Sequence, residues 1–108
     1  MIEYANEREF QAAVLELLGW HGWRTYHTHD SRRSNPGFPD IVAVHPNGGL
    51  IFAELKTEKG RVSKAQQAWL DDLTGSLGAS IHLGYAWVGT LRPSDWTRIE
   101  RLAKGQKP

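Results

Sequence analysis

Phe10, Val14, Leu17 and Leu18 recur at intervals of three and four, which lays them along one side of a helix. The predicted first helix begins near Glu3, with Asn6 as a candidate N-cap, and ends between Gly19 and Gly22. The period then changes. "WRTYHTH" is rich in aromatic and β-branched residues and predicts a strand, followed by the polar, Pro and Gly residues of a loop in "DSRRSNPGFP". "DIVAV" and "LIFAELK" are continuous apolar runs joined by "HPNGG", whose Asn-Gly predicts a hairpin of two antiparallel, central strands.

In "SKAQQAWLDDL" the stripe Ala65, Trp69, Leu70 and Leu73 predicts a second helix capped by Ser63. "ASIHLGYAWVG" reads as one long or two short strands. "PSDWTRIERLAKG" reads as a last helix with Trp96, Ile99 and Leu102 facing inward, and "QKP" as a frayed tail. Helix, strand, hairpin, helix, strand, helix is the order of an α/β sandwich around a small sheet. Its 108 residues suit one domain spanning 1–108, with one modest core.

Composition narrows the function. Thirteen Lys and Arg against twelve Asp and Glu give no overall basic field, so contact with nucleic acid has to be local. The absence of cysteine excludes a disulfide framework, a thiolate zinc site and a cysteine nucleophile. No apolar run approaches the roughly 20 residues of a membrane span, and the acidic "IEYANEREF" is unlike a secretory leader. A cytoplasmic or otherwise intracellular protein, with no membrane partner, is expected.

Against that background two charges inside an apolar strand stand out. Glu54 and Lys56 are two residues apart and share a face, and a turn at Pro46 to Gly49 sets Asp40 opposite or nearly opposite Glu54 across the hairpin. Facing carboxylates repel, and a hard divalent cation relieves the repulsion: Mg²⁺ takes one or two carboxylates and leaves its other positions to water and phosphate. Lys56 then stands where it can serve the attacking water or the phosphate. Taken alone, Glu54 and Lys56 fit a surface ion pair on an edge strand equally well.

The wider pattern decides between these. "GFPD", thirteen intervening residues, "ELK" and then "GRVSKAQQAWLDDL" resemble the PD-(D/E)XK nucleases, and within them the virus-type replication-repair nuclease (VRR-NUC) domain. "YHTHDSRRSNPGFPD" and the Ser-x-x-Gln of the second helix share in the likeness, which extends from the first helix to "DDL". The resemblance implies a restriction-endonuclease-like core, a small mixed central sheet flanked by helices. It implies metal ligation by Asp40, Glu54 and the Leu55 backbone carbonyl, with Lys56 as the catalytic lysine. Related resolvases add a glutamate from the first helix. Glu3, Glu7 and Glu9 are available; Glu7 lies at the edge of the inward stripe and is preferred, with Glu9 open if the helix starts late.

Gln66 matches the family's glutamine, Ser63-x-x-Gln favouring it over Gln67. Arg32 and Arg33, just before Asp40, together with Ser63 and Lys64, are candidate DNA contacts. His27 and His29 lack further zinc ligands nearby, so His27 is read as strand packing or a donor near the site. Trp69 and Trp96 fit core stripes, while Trp20, Trp23 and Trp87 are open to core packing, a dimer interface or stacking on an unpaired base. The resemblance implies a DNA endonuclease using Mg²⁺, with Mn²⁺ able to substitute, acting on branched DNA as a resolvase-like homodimer. A flap or general endonuclease, a restriction-type enzyme and a catalytically idle DNA-binding module are the other readings.

Overall fold

The computed structural model describes residues 4, 6–28 and 35–106. The elements are α1 (Glu7–Trp20), β1 (Arg24–His27), β2 (Ile41–Val44), β3 (Leu50–Leu55), α2 (Lys64–Ser76), α3 (Gly78–His82), β4 (Ala86–Leu91), a 3₁₀ turn (Pro93–Asp95) and α4 (Trp96–Ala103). The strands form one sheet in the order β1-β2-β3-β4. β1, β2 and β3 pair antiparallel, whereas β4 runs parallel to β3, the crossover through α2 and α3 having reversed the chain twice. This is the mixed sheet flanked by helices that the sequence implied.

The side-chain alternation of the strands separates two faces. Ile41, Ala43, Ile51, Ala53, Leu55 and Leu91 are buried in one core with Phe10, Val14 and Leu18 of α1 and Ile99 and Leu102 of α4. Trp23 joins them, its indole Nε1 donating to Ala103 O at 2.9 Å, which satisfies the ring's one polar atom inside the core. On the other face the Phe38 ring meets Phe52 of β3 at 6.3 Å and Trp69 of α2 at 5.0 Å, both edge-on. Phe38 therefore fastens α2 to the sheet from the loop that ends at Asp40.

Both predicted caps form: Asn6 Oδ1 accepts from Glu9 N at 2.9 Å, and Ser63 Oγ accepts from Gln66 N at 3.1 Å. The hairpin turns over a five-residue loop, His45 N donating to Gly49 O at 3.0 Å, with Gly48 at φ +96°.

Two expectations need correction. Ala79–His82 is helical instead of extended. Ile81 N donates to Leu77 O and Leu83 N to Ala79 O, so helical bonding continues past the turn at Leu77, and only Gly84, at φ +85°, stops it. Ala65 is exposed, not on the inward stripe. The inward position at that level is taken by backbone: a Cβ on Gly37, itself at φ +85°, would lie 2.4 Å from the Ala65 carbonyl carbon.

Candidate active site

The hairpin register brings the two carboxylates together. Ile41 pairs with Ala53, so the next step out sets Asp40 against Glu54, one residue beyond the end of β2. Asp40 is held from both sides: its backbone O accepts from Thr28 N at 3.1 Å, and its Oδ2 accepts from Leu55 N at 2.8 Å. Its carboxylate is thus aimed across the end of β3.

Glu54 is 1 % exposed. Its Oε1 accepts from Gln66 Nε2 at 3.0 Å, while its Oε2 is buried without a hydrogen-bond partner among the described residues. Burial pushes the Glu54 carboxyl up to about 9 from an ordinary 4.5. The Asp40 carboxylate facing it adds to the rise by repelling the charged form; Lys56 opposes it and Glu7 reinforces it. A buried, orphaned carboxylate oxygen beside a second carboxylate is a costly arrangement unless a cation completes it.

Lys56 follows β3, its backbone N donating to Leu91 O at 3.0 Å. Its Nζ lies 4.0 Å from Glu7 Oε1; the lysine side chain is 13 % exposed and that of Glu7 51 %. Glu7 thus reaches the site from the first turn of α1; both it and Glu9 are exposed, and of the two Glu7 lines the cleft. A cleft of about 350 Å³ opens here, lined by Glu7, Arg8, Gln11, His27, Thr28, Asp40 and Leu55.

Gln66 is positioned by its own helix. Its Oε1 accepts from Ser63 N at 2.8 Å while its backbone N donates to Ser63 Oγ, a reciprocal capping box. Gln67 instead donates to Asp71 at 2.8 Å, away from Glu54. Ser63 Oγ is engaged as the cap, and Lys64 is exposed in the first turn of α2. Arg32, Arg33 and His29 lie outside the described residues, as does Glu3. Trp23 is buried in the core, Trp87 and Trp96 pack against it, and Trp20 stands 80 % exposed.

Arg8 and Gln11 were not singled out in the sequence. The available signal was helical spacing: Gln11 follows Glu7 by four residues and shares its side of α1.

The donor set suits a hard divalent ion. Among the described residues no group of three or more His, Asp and Glu could hold a metal by itself. The protein can offer Asp40, Glu54 and the Leu55 carbonyl, with Glu7 beside them, and leave the rest of the shell to water or phosphate oxygens, which is how Mg²⁺ is commonly held. No helix of the described residues is long and apolar enough to cross a membrane.

Comparison with known proteins gives the family and a similar fold. Residues 1–86 match the VRR-NUC domain. No match is found among curated proteins. Among solved structures, that of Archaeoglobus fulgidus Hjc, a Holliday junction resolvase from an archaeal hyperthermophile, is similar in fold. The TM-score is 0.51 and the identity 24 %, over 78 % of this chain and 66 % of that one. This chain thus spans just under two thirds of the Hjc chain.

Proposed function

The chain belongs to the VRR-NUC domain family, and from that premise we propose that it is a divalent-metal-dependent endodeoxyribonuclease that cuts branched DNA as a homodimer, in the manner of a Holliday junction resolvase. The observation that carries the reading is Glu54: a fully buried carboxylate, facing Asp40, with one oxygen unpartnered. The fold of Hjc supports a branched substrate over a linear duplex. One chain supplies one site, so paired cuts across a four-way junction need two chains, and the protein would work inside the cell, where DNA is.

Asp40, Glu54 and the Leu55 carbonyl would hold Mg²⁺, or Mn²⁺ in its place. When bound, the ion offsets phosphate charge and makes a water more acidic. In the hydrolysis the water gives up a proton to solvent as its oxygen bonds to phosphorus, the bond to a deoxyribose oxygen breaks, and the leaving oxygen takes up a proton from solvent. Lys56 steadies the charge that develops on the phosphate. Leu55 N–H fixes the Asp40 carboxylate, and Gln66 fixes Glu54. Glu7 holds the Lys56 ammonium near the site. Arg8 on the cleft wall, Lys64, Arg32 and Arg33 would meet backbone phosphates, and the Ser63 hydroxyl can still donate to one while it caps α2.

The test is cleavage of a labelled four-way junction, a flap and a linear duplex with Mg²⁺, Mn²⁺ or chelator. Cleavage of the junction, lost in chelator and in Asp40→Asn, and reduced at least about 100-fold in Lys56→Ala, is expected. Preference for the flap would move the substrate assignment, and metal-independent binding with no cleavage would leave an idle DNA-binding module. Sedimentation at micromolar concentration should return twice the mass of one chain.

A further inference from the structure

Between β3 and α2 the chain makes a tight turn, Gly60 N donating to Thr57 O at 3.1 Å. Arg92 enters this turn from a distant part of the sequence. Its Nη1 donates to Thr57 O at 2.6 Å, Gly60 O at 2.8 Å and Glu58 O at 3.3 Å. Glu58 returns the contact by accepting from Ser94 N. Arg92 is itself fixed, its backbone N donating to Asp95 Oδ2 at 2.8 Å. The turn touches the lysine of the site: a Cβ built on Gly60 would lie 3.4 Å from Lys56 Cδ, so the Gly60 backbone lies alongside the lysine's aliphatic stem.

We propose that Arg92 is a positioning residue for Lys56, acting through the turn Thr57–Gly60 that it holds against the lysine stem; the proposal rests on the nuclease reading given above. Arg92 lies beyond residues 1–86 that match the family, whereas the turn and the lysine it acts on lie within them. The chemistry favours arginine there. Three carbonyls converging on one nitrogen are a poor place for a neutral donor and a good one for a delocalised cation that gives up hydration easily. Without it Glu58 O and Gly60 O are left to water and Thr57 O keeps only the Gly60 N–H, and the turn loses the contact that limits where the lysine stem can lie. The ammonium then samples positions away from the phosphate, which costs rate more than affinity.

The experiment compares the whole chain with Arg92→Ala and Arg92→Lys. Single-turnover cleavage of the junction, junction affinity, Mg²⁺ dependence and the NMR signals of isotopically labelled lysine side chains are measured, the Lys56 signal being assigned with Lys56→Arg. In Arg92→Ala the rate should fall at least tenfold, with affinity and Mg²⁺ midpoint within twofold of wild type and the Lys56 signal shifted. Arg92→Lys, which keeps the charge, should recover part of the rate. If Arg92→Ala does not fold, Arg92→Gln carries the same comparison. A folded Arg92→Ala that cleaves at the wild-type rate, or loses affinity alone, overturns this inference and leaves the nuclease reading standing. A wild-type protein that cleaves no DNA overturns that reading and the inference with it.

Discussion

At Glu54 the fold holds a carboxyl group where ionisation is expensive, and that has a measurable consequence without DNA. The folded carboxyl titrates at about 9 and the ordinary one at 4.5, so between these values the unfolded chain has released a proton that the folded chain keeps. The metal-free protein should therefore lose stability as pH rises through that interval, and Glu54→Gln should flatten the dependence and be the more stable protein at neutral pH. Denaturant titrations in chelator from pH 5 to about 9 check this; a wild-type stability that rises over the range contradicts it. Mg²⁺ binding should release a proton and tighten as pH increases. At Gln66, replacement by Leu removes the bond to Glu54 and half of the capping box. A loss of about 1–3 kcal/mol in thermal or denaturant unfolding is expected, with a larger proportional fall in cleavage than in DNA binding. The facing of Asp40 and Glu54 was legible in the sequence to within a residue, because the Asn-Gly turn places the hairpin while the five-residue loop sets its register. The spacing Ser63-x-x-Gln66 was legible because capping is local. The bond from Gln66 to Glu54 was not, since it joins two elements whose approach is set by Phe38.

At the scale of elements, the loop ending at Asp40 and the first turn of α2 form one contact through Gly37. Its positive φ and the 2.4 Å approach of an added Cβ to the Ala65 backbone leave no room for a side chain. Gly37→Ala should cost roughly 2–5 kcal/mol by combining left-handed strain with overpacking. Cleavage by the folded fraction should also fall, because Asp40 and Gln66 sit on the two pieces pushed apart. Thermal unfolding with parallel single-turnover assays separates the effects. The sequence carried "GFPD" as a motif but not this reason for its glycine. It also misassigned Ala79–His82, where Ile81 between polar Ser80 and His82 reads as strand alternation while the helix before it continued to the next glycine that could turn it. Arg92 gave no local signal at all, its partners lying 32 to 35 residues away in sequence.

For the whole molecule, near-neutrality limits how DNA can be held. With a net charge of +1 and a handful of candidate phosphate contacts in Arg8, Arg32, Arg33 and Lys64, the logarithm of affinity against the logarithm of salt should fall with a slope of about −3 to −4. A slope near −8 would mean a far wider basic track than these four residues. Binding measured by fluorescence anisotropy from low to physiological salt decides it. The α/β class and the flanked sheet were legible as a sequence of elements. The parallel partner of β3 entered only through the family resemblance, since periodicity does not say which strands become neighbours.

The amide of Gln66 is used at both ends, its oxygen on Ser63 and its nitrogen on Glu54. Conversion of that amide to an acid, by Gln66→Glu or by slow deamidation in an ageing sample, would keep the oxygen's role and replace the nitrogen's with repulsion. Such a molecule would keep its capping bond and its circular dichroism while its catalytic centre had lost a donor and gained a negative charge. A stock of this protein should therefore lose potency before it loses shape.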